Sequence, residues 1–186
     1  DQPTISIEVG SIGADDDSVT EGGTLVYNVS LSVAPITDAV YDFTFGEGSA
    51  AEADYENLVF SDSVAINSAG KLVVPAGVTN FTASLKTIDD SGVEPAETVD
   101  LTIDGVTATG TILDNDKPTI TSVSVNNADD SVVEGNDLAF TITLSEATLS
   151  EVTYPFTLGA GTATADDYSQ FTFTNGVTLN NGIITV

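Results

Sequence analysis

Leu25-Val26-Tyr27-Asn28-Val29-Ser30-Leu31 carries an apolar residue at every second position, and Leu138-Ala139-Phe140-Thr141-Ile142-Thr143-Leu144 does so again 113 residues later. Strand side chains point alternately to the two faces of a sheet, so this spacing predicts half-buried strands in both places. The same enrichment in β-branched and aromatic residues predicts strands at 5–9, 40–45, 72–74, 81–88, 98–103 and 107–113. Gly, Asn, Asp and Pro punctuate them at 46–48, 67–70, 75–77, 91–95 and 104–105. No window keeps a helical period. About seven short strands in roughly 115 residues fit an antiparallel sandwich of immunoglobulin type.

The repeat extends well beyond the strands. Val19-Thr20-Glu21-Gly22 returns as Val132-Val133-Glu134-Gly135, and Tyr41-Asp42-Phe43-Thr44 as Tyr154-Pro155-Phe156-Thr157, both at an offset of 113. Ala53-Asp54-Tyr55 returns as Ala165, Asp167 and Tyr168, with Asp166 between. Pro3-Thr4-Ile5 returns as Pro118-Thr119-Ile120 at an offset of 115, so the loop between these motifs differs by two residues. Internal repetition on this scale signals tandem modules. The expected organisation is all-β: a complete sandwich over 1–116 and a second over 117–186 that lacks its last strands, since 75–116 has no counterpart. Asp116-Lys117-Pro118 joins them with almost no linker, and proline stiffens the joint by fixing φ.

Asp plus Glu number 29 against 3 Lys plus Arg, a formal charge of −26. Phosphate binding needs a basic face, so nucleic acid is excluded as a partner, and no apolar run is long enough for membrane insertion. Cys and His are absent, which removes disulfides, soft-metal sites and Ser-His or Cys-His nucleophile pairs. Paired carboxylates alone do not make a glycosidase. A general acid needs an apolar pocket to raise its pKa, and there is no Trp to stack a sugar. No enzymatic activity is expected.

The acids gather at Asp15-Asp16-Asp17, Glu21, Asp54, Asp89-Asp90, Glu94, Glu97, Asp114 and Asp116, several of them at expected strand ends. In a sandwich such ends meet at one pole. Two carboxylates ~4 Å apart repel by roughly 1 kcal/mol in water and roughly 4 kcal/mol at a partly buried site. Two readings offset that cost. One is a solvated acidic surface, which suits Asp38, Asp62, Asp100 and Asp104 and serves for Asp15–Asp17 too. The other is a hard cation: Ca²⁺ takes six to eight oxygen ligands at flexible geometry.

Val19-Thr20-Glu21-Gly22, Leu31-Ser32, Ala53-Asp54-Tyr55, Asp89-Asp90 followed by Glu94 and Glu97, and Thr111-Ile112 followed by Asp114-Asn115-Asp116 together resemble the Calx-β domain. That family is found in the sodium–calcium exchanger and as tandem arrays in large bacterial surface proteins. The resemblance covers all of the first repeat and the 70 residues of the second. It implies a seven-stranded immunoglobulin-like sandwich with calcium ligands at the pole beside the next domain. Carried over, it names Glu21, Asp54, Asp89, Asp90, Glu94, Glu97, Asp114 and Asp116 as Ca²⁺ ligands. Only Glu134 and Asp167 match in the second repeat. The expected function is a calcium-binding structural module of a bacterial extracellular or cell-surface adhesin, with the ion rigidifying the junction between repeats. Its partners would be neighbouring repeats or other copies of itself, with any cell-surface or glycan target met through other domains. Two alternatives stand beside it: a filament subunit that assembles by strand addition to the incomplete sandwich, and a calcium-dependent glycan-binding module.

Overall fold

The computed structural model describes residues 2–11, 16–125, 130–159, 161–164 and 166–186, and Asp15 and Ala165 of the motifs above lie outside them. It divides into two compact units, Asp1–Asp116 and Lys117–Val186. Among the described residues every regular element is a strand.

Unit 1 holds eleven strands: β1 (Ile5–Val9), β2 (Ser18–Thr20), β3 (Thr24–Leu31), β4 (Ala39–Tyr41), β5 (Phe43–Gly48), β6 (Val59–Phe60), β7 (Ala65–Ile66), β8 (Leu72–Val74), β9 (Asn80–Lys86), β10 (Glu97–Ile103) and β11 (Val106–Leu113). Two four-stranded sheets, ordered β1-β3-β9-β6 and β2-β11-β10-β5, are joined by a three-stranded β4-β8-β7 sheet. The inward positions of β3 (Leu25, Tyr27, Val29, Leu31) and of β9 (Phe81, Ala83, Leu85) share one core with Val99, Leu101, Ile103 and Ile112 from the other large sheet. The Tyr27 hydroxyl spans the layer and donates to the Val99 carbonyl at 2.7 Å. Burial pushes that phenol's pKa well up, so the hydroxyl stays a donor. Gly110 of β11 is required where it stands, because a Cβ there would meet the Leu25 side chain. The fold is an antiparallel sandwich of immunoglobulin type with one departure: β2 runs parallel to β11.

The strand expected over 40–45 is two strands. Ala39–Tyr41 pairs with β8, whereas Phe43–Gly48 pairs with β10, so the chain changes sheets at Asp42. The β10–β11 hairpin turns on Asp104 (φ 51°) and Gly105 (φ 79°), the left-handed pair that a two-residue type I′ turn needs.

Unit 2 holds β12 (Ile120–Val125), β13 (Phe140–Leu144), β14 (Thr153–Pro155), β15 (Thr178–Asn180) and β16 (Ile183–Thr185). They form a β12-β13 pair and a β14-β16-β15 sheet. Each repeats a piece of unit 1. Ile120↔Leu144 and Val123↔Ile142 mirror Ile5↔Leu31 and Ile7↔Val29, with a bulge between Ile120 and Ser122 absorbing one extra residue. Tyr154↔Ile184 and Leu179↔Ile184 mirror Tyr41↔Leu72 and Ile66↔Leu72. The Tyr41 hydroxyl donates to the Pro3 carbonyl, and Tyr154 does the same to Pro118. The edge-to-face pair Phe43–Phe60 recurs as Phe156–Phe173.

The half-burial expected for 138–144 is not found. Leu138, Phe140 and Ile142 are 43%, 46% and 37% exposed, where Leu25, Tyr27 and Val29 are 2%, 0% and 1%. In unit 1 the cover comes from β9, β10 and β11, and 117–186 contains no equivalent of them. Among the described residues, the counterparts of β2, β5 and β6, which pair with β11, β10 and β9, are correspondingly not strands in unit 2.

Candidate metal centre

Five loops and strand ends bring the acids of unit 1 together. Glu21 occupies the turn between β2 and β3, held by its N–H to the Leu113 carbonyl at 3.0 Å. Gly22 follows in the left-handed region (φ 74°), and a Cβ there would lie 3.1 Å from that of Asp89. The glycine of the Glu-Gly motif thus lets the segment after β9 approach the turn. Asp54 closes a turn by accepting from the Ala51 N–H at 2.5 Å, and its carbonyl takes the Ile88 N–H at 2.8 Å. Glu97 is the first residue of β10. Glu94 precedes it and donates its N–H to Asp114 Oδ2 at 3.0 Å. Asp114 and Asp116 follow β11, with the Asp116 N–H on Asp114 Oδ1 at 2.8 Å.

Two carboxylate triads result. Glu21, Asp114 and Asp116 each offer an oxygen within 4.8 Å of the others, and so do Asp54, Glu94 and Glu97. All six side chains are half-buried. Asp89 and Asp90, also named by sequence, lie exposed outside both triads. Asp89 accepts from the Asn115 amide at 2.8 Å, and Asp90 accepts from the Gly92 N–H at 2.6 Å. Their charges still reach the triads, since Asp89 and Asp90 both act on Asp116.

Crowding is written into the titration of the groups. Burial raises the Glu21 carboxyl first, then the charge of Asp114 raises it further, against a backbone hydrogen bond from Asp90. Burial likewise leads for Asp116, followed by Asp114, and for Glu94, followed by Asp54. Glu97 is pushed up to about 7, by burial and then by its hydrogen bond to Asp54 and the charges of Asp54, Glu94 and Glu21. The influence of Glu21 on Glu97 joins the two triads electrostatically.

No protein cation relieves this. The chain's three basic residues are Lys71, Lys86 and Lys117. Lys71 pairs with Asp42, Lys86 with Glu56 at 3.0 Å, and Lys117 lies over the Tyr154 ring at 5.2 Å. Two buried oxygens, Glu21 Oε2 and Asp116 Oδ2, have no hydrogen-bond partner, and both belong to the first triad. Buried polar atoms in native proteins are normally satisfied, so an orphaned pair on two residues of one carboxylate triad fits a cation ligand set. The donor set is all carboxylate oxygen, which suits Ca²⁺ and excludes a thiolate or imidazole metal site.

Unit 2 contains no such group among the described residues. Glu134 sits exposed in the turn equivalent to that of Glu21. Asp167 accepts from the Thr164 N–H at 2.7 Å and from its hydroxyl at 2.9 Å, and these bonds hold its carboxyl below the usual range. It thus repeats the turn-closing bond of Asp54 without belonging to a carboxylate triad among the described residues.

No family model matches the chain, and no curated protein matches it. Solved structures with similar arrangement include domains 4 and 5 of the S-layer protein SbsC (16% identity, 60% of this chain, 53% of that one, TM-score 0.33). A second is SbsC domains 1–6 (13% identity, 100% of this chain, 21% of that one, TM-score 0.33). A third is the sixth cohesin of scaffoldin B from Acetivibrio cellulolyticus, in complex with a dockerin (15% identity, 60% of this chain, 98% of that one, TM-score 0.27). The chain therefore spans about half of the first structure and a fifth of the second.

Proposed function

We propose that unit 1 is a non-enzymatic, Ca²⁺-binding structural module of the Calx-β type, one repeat of a bacterial extracellular or cell-surface protein. The observation that carries this reading is the orphaned pair Glu21 Oε2 and Asp116 Oδ2, buried within a carboxylate triad that no lysine reaches. Glu21, Asp114 and Asp116 would hold one ion, and Asp54, Glu94 and Glu97 would supply oxygens to the same acidic pole. Bound calcium supplies positive charge that cancels carboxylate repulsion. The chain's own residues do the rest: Gly22 admits Asp89 to the turn, Asp54 closes its loop on Ala51, and Asp114 clamps the backbone of Glu94 and Asp116.

Asp116 is the last residue of unit 1. An ion on its carboxylate therefore fixes the chain where it leaves the module, immediately before Lys117-Pro118. That is the mechanism by which calcium would stiffen a string of such repeats. Extracellular modules bind calcium at about 10⁻⁴–10⁻³ M, so a modest site suffices in a millimolar medium. Ligand at a hundred times its dissociation constant stabilises by about 2.7 kcal/mol. Thermal unfolding with chelator and with calcium tests the reading. The transition of unit 1 should rise by several degrees with calcium and much less with equimolar sodium chloride, and equal shifts with both salts would remove the site.

A further inference from the structure

We infer that Asn175 is a site of spontaneous covalent modification: its side-chain amide is displaced by the Gly176 nitrogen, leaving an aspartyl or isoaspartyl residue in the turn before β15. The inference concerns one turn and is independent of metal binding in unit 1. Asparagine is a thermolabile residue, and a following glycine leaves no side chain to hinder attack by its nitrogen. The pair occurs twice, as Asn175-Gly176 and Asn181-Gly182. Both lie in left-handed backbone, at φ 57° and 78° and at φ 47° and 77°, as a type I′ turn requires. What holds the two turns differs. Asn181-Gly182 is the two-residue loop of the β15–β16 hairpin, flanked by the Asn180↔Ile183 pair. The Gly182 carbonyl also accepts from the Phe156 N–H at 2.8 Å. The turn at Asn175-Gly176 is closed by the Val177 N–H on the Thr174 carbonyl at 3.2 Å, and 171–174 before it form no strand. Ring closure requires the turn to open, and the hydrogen bonds that close a segment set the cost of its local opening. The structure therefore ranks Asn175 ahead of Asn181.

Unit 1 carries the product's charge at the same place. By the repeat offset, Asn175-Gly176 stands where unit 1 has Asp62-Ser63, in a turn of the same form, with φ 55° and 60° and the Val64 N–H on the Ser61 carbonyl at 3.1 Å. Asp62 and Ser63 are exposed, as are Asn175 and Gly176, so access belongs to the turn in both units. The Ser61 hydroxyl donates to Asp62 Oδ2 at 2.6 Å, and Thr174 supplies a hydroxyl at the equivalent position. Asn67, which precedes Ser68, is tied down instead: its Oδ1 accepts from the Ala69 and Lys71 N–H groups at 2.9 and 3.1 Å. In the reaction the Gly176 nitrogen bonds to Asn175 Cγ, the Cγ–Nδ2 bond breaks, and ammonia leaves with the Gly176 proton. Water then opens the five-membered ring. Addition at Cγ gives aspartate, and addition at the main-chain carbonyl carbon gives isoaspartate, with an extra methylene in the backbone. Either product adds one carboxylate to a chain already at −26. Aspartate reproduces the Asp62 turn, whereas isoaspartate lengthens it.

The test is peptide mapping by mass spectrometry of the 186-residue chain, aged in mildly alkaline buffer with and without urea. Electron-transfer fragmentation separates isoaspartate from aspartate. In buffer alone, conversion at Asn175 should outpace that at Asn181 by on the order of tenfold, and in urea the two rates should converge. Gly176→Ser, which copies Ser63 of the unit 1 turn, should slow conversion at Asn175 by on the order of tenfold and leave Asn181 unchanged. Three outcomes overturn the inference: equal rates at the two sites in buffer alone, faster loss at Asn181, or an intact Asn175 after the urea-treated chain has converted.

Discussion

Glu97 shows most directly what the acidic pole does to a single residue. Its folded pKa of about 7 lies above the ordinary value of 4.5, because burial, then Asp54, disfavour the charged form. A raised folded pKa contributes stability that is complete below about 4.5 and is lost as pH rises to about 7. Glu21, Glu94 and Asp116 shift in the same direction and add to the trend. The metal-free protein should therefore melt lower at pH 8 than at pH 5, and Glu97→Gln should flatten that slope. Calcium competes with the proton, so its affinity should rise over the same window, as melting curves across pH with and without the ion would report. Asp116→Asn and Asp89→Asn separate the two classes of acid. Asp116 should cost calcium affinity tenfold or more, about 1.4 kcal/mol, whereas the exposed Asp89 should cost only a few-fold; equal losses would place both in the coordination shell. All ten acids were legible in the sequence as candidates. Their sorting was not, because membership of a triad depends on burial and on competitors such as Asn115 and the Gly92 amide, and neither is encoded in an acid's own identity.

At the scale of elements, the two alternating segments share a pattern but not a cover. Leu25 and Leu138 occupy the same repeat position, yet Leu25 meets Leu85 and Gly110 and is 2% exposed, while Leu138 is 43% exposed. Leu25→Ala should therefore destabilise unit 1 by about 2–5 kcal/mol, and Leu138→Ala should stay within about 0.5 kcal/mol in chemical denaturation. Tyr27→Phe leaves the buried Val99 carbonyl without its donor and should cost about 1–3 kcal/mol. Alternation in the sequence identified β3 and its inward face, and β-branched and aromatic enrichment identified β9, β10 and β11 as strands. It did not reveal that 138–144 would be open, since burial of that face is decided by residues of other strands. It also joined β4 to β5, because a change of sheet at Asp42 leaves the local pattern intact. The short β2, β6 and β7, of two or three residues, escaped for a related reason: they exist through their partners rather than through any run of their own.

Across the whole molecule, a formal charge of −26 with three lysines leaves carboxylate repulsion that dissolved cations screen. Monovalent salt screens the dispersed surface charge, with a Debye length of about 3 Å at 1 M, but it cannot satisfy two orphaned oxygens in one triad. Among the described residues the carboxylate triads lie in unit 1, and neither Glu134 nor Asp167 belongs to one. Calorimetric titration of calcium into the 186-residue chain tests this most directly. A saturable heat is expected with a dissociation constant of about 10⁻³ M or tighter, weakened at least tenfold by Asp116→Asn or Glu97→Gln and unchanged by Glu134→Gln. The absence of saturable heat up to about 10 mM calcium, ten times the weak end of such sites, or equal binding by the Asp116→Asn variant, would contradict the account.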